Sequence, residues 1–332
     1  MKVKSCLRIF CFFWLSYSAC GKTRKAFPQK SGFGLEVMEY APGESSIRLK
    51  TPTHIAFGPN NREIITDLKN NRFVFREGRE EPLQVSPVPV RGPHSVVYNP
   101  KDKLYYANDT QNHRMIAFAD LSKPTIQAQT KKIAGINLHR PHDVVLDPST
   151  RWIYAINPGS GHVFRFTAIG ENESAIKVPL QGYSRALTFT NGKLYAIGSA
   201  KGRIVEIVDW DTPTFKIYDS HDPSGRNGSS GFWVKTGLVL NDAEFFQGFW
   251  YATSYFIKQG GAGTDFDENK FIRFKTFDGF NKGKWTDLSE LVPSGITPYY
   301  LTVNRGKLYL AIFNHGAPGK GDSILQFTPS NK

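Results

Sequence analysis

The sequence predicts an all-β fold, a six-bladed β-propeller closed by an N-terminal strand. One pattern recurs six times in the 332 residues: an apolar strand, a turn, a Leu-Tyr-Ala-type strand, a polar turn and a third apolar strand. The copies follow one another at intervals of about 40–60 residues, and several short strands per unit at such a period indicate propeller blades. The last copy lacks a fourth strand, and a β-like segment stands before the first copy.

The repeat unit is defined by its first two strands. The first strands all end on an apolar or aromatic residue: Phe57, Tyr98, Leu146, Phe189, Phe245 and Val303. The second strands all carry apolar and aromatic residues and occupy residues 64–66, 104–107, 152–155, 194–196, 250–252 and 308–311. These anchors predict blades at residues 52–90, 93–132, 141–180, 184–218, 239–290 and 296–328.

Two of the polar turns are nearly identical, at residues 66–74 and 108–116. Both contain an Asp, an Asn three residues later and an Arg two residues after that. Because the three side chains recur in matched turns, we expect them to satisfy backbone groups of the turn and to have a structural role.

The ends of the chain predict how the ring closes. The blade at 296–328 shows three strands, and residues 35–49 can supply its outer fourth strand. This pairing leaves no open edge, which a closed ring of blades requires.

The N-terminus has the composition of an export signal. Lys2, Lys4 and Arg8 precede a short apolar stretch, so residues 1–19 are predicted to be a signal peptide, 20–34 a flexible tether and 35–332 a single propeller domain. All three cysteines lie in the first 20 residues, and structural disulfides are not expected in the mature chain. Cleavage before Cys20 would suit lipid anchoring through that cysteine, and plain secretion is the alternative. Both predict a secreted or cell-envelope protein.

The chain is strongly basic, with a net charge of +13 at pH 7. This charge favours an anionic small molecule or a cell-surface glycan as partner, although a solvated basic surface would have the same composition. Nucleic acid is not an expected partner of an exported chain without a recognition helix. The oligomeric state is left open.

Three segments are longer than the repeat requires, at residues 221–235, 256–270 and 314–322. The first precedes an innermost strand, and the other two join second and third strands. In a propeller these connections lie on one face, and long loops on a rigid scaffold commonly carry function. We therefore expect the functional face to be the one on which the innermost strands begin.

Two columns of residues stand at the beginnings of the six innermost strands. The first column is Thr53, His94, His142, Arg185, Asn241 and Tyr299. The second is His54, Ser95, Asp143, Ala186, Asp242 and Tyr300. Side chains alternate along a strand, so only one column should point into the central channel.

The first column has the residue types of a reactive site. His94, His142 and Asn241 could bind a divalent metal, Ca²⁺ or Zn²⁺. The planar fork of Arg185 could hold a carboxylate or sulfate, and Tyr299 could transfer a proton, so these two are the candidate catalytic residues. Asn241, Asp242 and His315 are candidate ligand-binding residues. The alternative is that the Pro-His pairs recur with the repeat and close the strand entries.

Residues 107–118 resemble the signature of NHL repeats, and the resemblance extends over all six blades. It implies a six-bladed propeller. Among enzymes of this architecture, His94, His142, Arg185 and Tyr299 are similar in type to residues of peptidyl-hydroxyglycine amidating lyases, whose channel histidines bind a metal. Asn241-Asp242 followed by residues 250–253 resembles the calcium-binding arrangement of paraoxonase and gluconolactonase-like hydrolases. The resemblance implies a metal-assisted hydrolase or lyase with its site at the channel mouth. The alternative is a non-catalytic binding module that presents its loop face to a glycan or protein, or a structural envelope protein.

Overall fold

The computed structural model describes residues 29–30, 32–40, 47–180, 182–199, 202–221, 238–254 and 269–330. Before the ring come β1 (Gln29–Lys30) and β2 (Leu35–Glu39). Blade 1 contains β3 (Pro52–Phe57), β4 (Glu63–Asp67), β5 (Arg72–Arg76) and β6 (Gln84–Val85). Blade 2 contains β7 (Pro93–Asn99), β8 (Leu104–Asp109), β9 (Arg114–Phe118) and β10 (Ala128–Thr130), and a hairpin of β11 (Lys132–Ile133) and β12 (Ile136–Asn137) follows it.

The remaining blades have the same antiparallel order. Blade 3 contains β13 (Asp143–Leu146), β14 (Ile153–Asn157), β15 (His162–Phe166) and β16 (Ser174–Lys177). Blade 4 contains β17 (Ser184–Thr190), β18 (Lys193–Gly198), β19 (Arg203–Asp209) and β20 (Thr214–Asp219). Blade 5 contains β21 (Leu240–Phe246), β22 (Phe249–Ser254), β23 (Lys270–Phe274) and β24 (Thr286–Asp287), with the short helix α1 (Phe277–Asn281). Blade 6 contains β25 (Thr297–Asn304), β26 (Lys307–Phe313) and β27 (Ser323–Pro329).

The six blades form a closed ring, which confirms the predicted fold. The innermost strands β3, β7, β13, β17, β21 and β25 each contact the next, and β25 contacts β3. Almost every residue of the second strands is buried, and alternate residues face the apolar clusters that fill the spaces between neighbouring sheets. In the described ranges, no helix combines the length and apolar character needed to cross a membrane.

The N-terminal strand closes the ring as predicted. β2 pairs antiparallel with β27, with Val37 opposite Phe327, and so becomes the fourth strand of blade 6. The strand ends at Glu39, whereas the sequence suggested a β-like segment extending to residue 49. A further difference is that Gln29–Lys30 pair with β2 as a fifth strand, so the end of the segment predicted as a tether belongs to the sheet. Residues 1–28 lie outside the described part of the chain, and the predicted signal peptide, the beginning of the predicted tether and Cys20 lie there.

The matched polar turns have the predicted structural role. Asp67 accepts hydrogen bonds from the Arg72 guanidinium at 2.7 Å, from the Asn70 amide at 2.8 Å and from the backbone N–H of Lys50 at 2.6 Å. The second copy repeats this arrangement around the buried Asp109, which is bonded to Asn112 and Arg114. Each buried carboxylate therefore fixes its own turn and the chain that enters its blade.

Candidate functional site

A cavity of about 340 Å³ lies at the mouth of the central channel. It is formed by the beginnings of innermost strands, by the residues just before them and by loops between second and third strands. Its lining residues are Thr51, Thr53, Leu68, Lys69, Gly92, His94, Thr110, Gln111, Arg140, His142, Tyr183, Arg185, Tyr299, Phe313, His315 and Pro318. The cavity thus lies on the face where the long loops were predicted.

The structure brings five of the predicted site residues to this cavity: His94, His142, Arg185, Tyr299 and His315. His315 comes from the loop 314–322, whose Asp322 carboxylate accepts hydrogen bonds from the backbone N–H groups of Gly319 and of Thr51 in blade 1. Residues 222–237 and 255–268, which make up most of the other two predicted loops, lie outside the described residues.

Two predicted ligand-binding residues do not line the cavity. Asn241 is fully buried, and its amide nitrogen lies 3.3 Å from the backbone oxygen of Pro298. Asp242 accepts hydrogen bonds from the backbone N–H groups of Leu301, at 2.7 Å, and Ala243, at 2.8 Å. The two side chains thus interact with the backbone of the inner ring.

The strand entries depart from regular pairing. In blades 1, 2, 4, 5 and 6 the register of the innermost strand against its neighbour shifts at the first column, for example between Ser184 and Ala186. A β-bulge inserts a residue into one strand and turns its side chain away from the regular alternation. In blade 4 the bulged residue is Arg185.

The preceding blade holds the backbone at these entries. Thr66 of blade 1 donates to the carbonyl oxygen of His94, and Asn108 of blade 2 donates to that of His142 at 3.0 Å. Thr253 of blade 5 donates to that of Tyr299 in blade 6. Side chains of second strands therefore hold the backbone of these three site residues in place.

Second-column residues connect the blades below the mouth. The Ser95 hydroxyl accepts from the N–H of Val144, and the Asp143 carboxylate accepts from the N–H of Leu187 at 2.8 Å. The Asp242 carboxylate likewise accepts from the N–H of Leu301 in blade 6. In each case the N–H donor lies two residues after the first-column residue of the next blade. The second column therefore links neighbouring innermost strands around the ring.

The two histidines stack on each other, with ring centroids 4.2 Å apart and an interplanar angle of 21°. The Nδ1 atom of His142 lies 2.8 Å from the carbonyl oxygen of Arg140, and its Nε2 atom lies 2.6 Å from the hydroxyl of Tyr183. A carbonyl oxygen can only accept, so Nδ1 carries the hydrogen and Nε2 accepts from Tyr183.

Arg185 and Tyr299 approach the pair from the other blades. The Tyr299 hydroxyl is 3.5 Å from an Arg185 Nη atom and 3.5 Å from Nδ1 of His94, at the outer limit of hydrogen bonding. The Arg185 guanidinium also lies over the ring of Tyr183, with 5.0 Å between its central carbon and the ring centroid. Both tyrosines therefore lie beside a cation and an imidazole.

Burial and nearby cations keep both imidazoles neutral. Burial is the largest cause that lowers the pKa of His142 to about 3, and Arg185 and Arg140 lower it further against the bond to the Arg140 carbonyl. The pKa of His94 lies well below its ordinary value, through burial and then through His142 and the same two arginines. Both imidazoles are therefore uncharged at neutral pH, and each can serve as a proton acceptor.

Sequence reasoning missed Tyr183 and Arg140. Each stands two residues before a first-column residue, Tyr183 before Arg185 and Arg140 before His142, and each lines the same cavity. Side chains two residues apart point to one side of an extended chain, so extending the column by two residues would have found them.

The residues at the mouth do not fit a divalent metal. Both ring nitrogens of His142 are already paired, and Asn241 does not line the cavity. The described residues contain no group of three or more His, Cys, Asp or Glu side chains arranged to hold a metal ion. In this structure the His142 nitrogens bond to Arg140 and Tyr183 instead, and a metal-binding role for His94, His142 and Asn241 stays a prediction.

No protein-family model and no curated protein matches the chain. Solved structures do match it. A catalytically inactive histidine-to-alanine variant of virginiamycin B lyase from Staphylococcus aureus, crystallised with quinupristin, superposes with a TM-score of 0.57 and 12% identity over 89% of this chain and 99% of the lyase chain. A gluconolactonase from Xanthomonas campestris superposes with a TM-score of 0.60 and 11% identity over 89% of each chain.

A chain of a nidogen/laminin complex is also similar, with a TM-score of 0.52 and 11% identity over 85% of this chain and 87% of that one. These neighbours are consistent with the NHL-type propeller architecture that the repeat resemblance implied. At such identities the likeness shows the fold alone, and the fold hosts both enzymes and binding proteins.

Proposed function

We propose that this chain is a hydrolase or lyase that acts on an anionic small molecule at the channel mouth by proton transfer through two Tyr–His pairs. The observation that carries the proposal is the 2.6 Å contact between the Tyr183 hydroxyl and Nε2 of His142 in a cavity that also contains Arg185, Tyr299 and His94. The fold is shared with a lyase and a gluconolactonase, so it is compatible with either activity.

The charge of the lining supports an anionic substrate. Lys69, Arg140 and Arg185 line the cavity, and the described part of its lining contains no carboxylate. A guanidinium fork recognises a carboxylate or sulfate through two parallel hydrogen bonds. The Arg185 side chain is only 9% exposed, so it would hold the anion more strongly than a solvent-exposed cation would.

Binding of such an anion changes the basicity of the imidazoles. Arg185 and Arg140 contribute to the low pKa values of His94 and His142. A negative charge placed between them offsets this effect and raises both pKa values. The histidines would then be stronger bases in the complex with substrate than in the free protein, and His142 would receive the Tyr183 proton there.

Two proton-transfer groups suit both reaction classes. Hydrolysis needs a base to activate water and an acid to protonate the leaving group, and elimination needs a base to take a proton from carbon and an acid for the leaving group. We assign the base role to Tyr183 with His142. We assign the acid role to Tyr299, whose hydroxyl lies between Arg185 and His94.

The setting of this activity is also part of the proposal. The basic N-terminus and the position of Cys20 support an exported protein of the cell envelope, lipid-anchored through Cys20 or freely secreted. In that setting an anionic fragment of a cell-surface glycan is a suitable substrate or partner.

A turnover screen of the purified chain tests the proposal. Its panel contains carboxylate-bearing lactones and esters, scored for acid release, and uronate-containing oligosaccharides, scored for the double bond that elimination creates. The wild type should turn over at least one anionic compound, and Tyr183→Phe should lower kcat by about 10²–10⁴-fold with little change in KM. Arg185→Lys should chiefly raise KM.

Leu121→Val, a conservative change in the buried core of blades 1 and 2, serves as the control for general effects of mutation. Turnover only of neutral compounds, or an unchanged kcat in Tyr183→Phe, would contradict the assignment. Anion binding at the mouth without any turnover would instead indicate the binding module.

A further inference from the structure

A second cavity, of about 360 Å³, opens on the face of the ring opposite the channel mouth. Its lining residues stand where first and third strands end: Asp147 after β13, Phe189 and Gly192 around the β17–β18 turn, and Val208 and Trp210 at the end of β19. The mouth is built from the beginnings of first strands. The two cavities therefore lie at opposite ends of blades 3 and 4 and share no lining residue.

Three aromatic rings line this second cavity. Tyr154 and Phe189 are nearly parallel, with an interplanar angle of 11°, and the rings of Tyr154 and Trp210 lie 5.5 Å apart between centroids. The indole N–H of Trp210 donates to Ser174 Oγ at 3.0 Å, and the Arg165 guanidinium lies over the same indole. These contacts fix the rings before any ligand arrives, which lowers the entropy cost of binding.

The polar part of the lining is built around Glu206. This carboxylate is 5% exposed, accepts from Lys193 Nζ at 2.8 Å and accepts from the Tyr218 hydroxyl at 3.0 Å. The cavity therefore presents a hydrogen-bond acceptor and a charged donor side by side. Neighbouring hydroxyl groups of a ligand could bond to both.

The net charge of the lining distinguishes this cavity from the mouth. Its acidic residues are Asp147 and Glu206, and its basic residues are Lys193 and Lys216, so the charges balance. A balanced lining does not select an anion. Rigid aromatic rings beside a hydroxyl-binding pair suit a ligand with an apolar C–H face and polar edges, which is the chemistry of a neutral sugar ring.

We propose that this cavity, the aromatic pocket, binds a neutral sugar ring. Its volume lies within the range of about 300–1,000 Å³ that is usual for small-ligand sites. The sugar ring lies against Phe189 and Trp210 and bonds through adjacent hydroxyls to Glu206 and Lys193. The pocket is independent of the chemistry at the mouth, and it would hold the chain on a glycan while the mouth remains accessible.

Calorimetry and tryptophan fluorescence on the full chain test this proposal. The probes are glucose, galactose, mannose, N-acetylglucosamine, maltose and cellobiose, with glucuronate and adenosine as an anionic and a flat aromatic comparison. At least one neutral sugar should bind with a Kd in the millimolar range and change the fluorescence. Glu206→Gln should weaken that binding at least tenfold, and Tyr183→Phe, at the mouth, should leave it unchanged.

Val208→Trp provides a second variant, because Val208 is 52% exposed and a larger side chain there narrows the pocket without entering the core. It should abolish sugar binding and leave Tm unchanged, which keeps the test valid if Glu206→Gln unfolds. Three results would overturn the proposal: no neutral sugar bound at about 100 mM, affinity unchanged in both pocket variants, or tighter binding of glucuronate or adenosine than of every neutral sugar that is lost in Val208→Trp and therefore occurs in this pocket rather than at the mouth.

Discussion

The Tyr183 hydroxyl donates a 2.6 Å hydrogen bond to Nε2 of His142, and the two rings meet at 90° with centroids 5.3 Å apart. Tyr183 precedes blade 4 and His142 precedes blade 3, so the bond joins two neighbouring strand entries. It uses the acceptor nitrogen of His142, since the other nitrogen faces the Arg140 carbonyl. The same bond opposes metal binding by His142 and places a phenol where it can transfer a proton.

The cationic lining should determine anion affinity. Replacing Arg140 by Gln removes a positive charge from the mouth, and the exposed position of this side chain should keep the fold intact. Binding of sulfate or citrate, measured by calorimetry at low ionic strength, should weaken by about tenfold or less, because a solvated charge is partly screened. Lys101→Gln removes the same charge from an exposed site outside the cavity and should have no effect. Equal effects of the two variants would show that only the net charge matters.

Ring closure should contribute measurably to stability. Val37 in β2 is 1% exposed and pairs with Phe327 of the last strand, whereas Val85 in β6 is 45% exposed. Val37→Ala should lower the free energy of unfolding by about 1–3 kcal/mol through lost burial and the space left behind. Val85→Ala should change it by less than about 0.5 kcal/mol. Denaturant unfolding compares the two, and an equal loss in both would contradict a closing role for β2.

The acidic groups below the mouth should make stability depend on pH. Burial raises the pKa of Asp143 to about 7, and burial followed by repulsion from Asp242 and Asp143 raises that of Glu244 well above its ordinary value. The folded state therefore holds protons that the unfolded state releases. Their stabilising contribution is complete below the unfolded pKa, about 4.3 for Glu, and is lost as pH rises through the folded pKa.

Glu244→Gln should therefore stabilise the chain relative to wild type at about pH 8 and have little effect at about pH 4. Thermal unfolding across that range measures the difference. Glu80→Gln, at an exposed position, should show no such trend. A gain for Glu244→Gln that is the same at both pH values would contradict the buried-proton explanation.

The fold could be predicted because repeats report on architecture directly. Six spaced copies and a last blade without its fourth strand were sufficient to place β2 beside β27. The pairing of Gln29–Lys30 with β2 was not predictable, because a two-residue strand in a polar segment has no apolar alternation and depends on the edge that β2 offers.

The site could be predicted only in part. Aligning strand entries found His94, His142, Arg185 and Tyr299, because equivalent positions of a propeller converge on one axis. The alignment could not show that the side chains of Asn241 and Asp242 bond to the backbone of blade 6, since those bonds depend on where that backbone lies. The roles of all these residues in binding or catalysis stay predictions.

The most direct test of an acid–base site for anions is the proton uptake that accompanies anion binding. Calorimetry of sulfate binding at about pH 5, in buffers of different ionisation enthalpy, measures it, because sulfate has no group that titrates near this pH. Because a bound anion raises the low pKa values of His94 and His142, we predict binding with net uptake of protons. His142→Gln should reduce the uptake while binding persists through Arg185. Binding without proton uptake, or no binding of sulfate, would contradict the account.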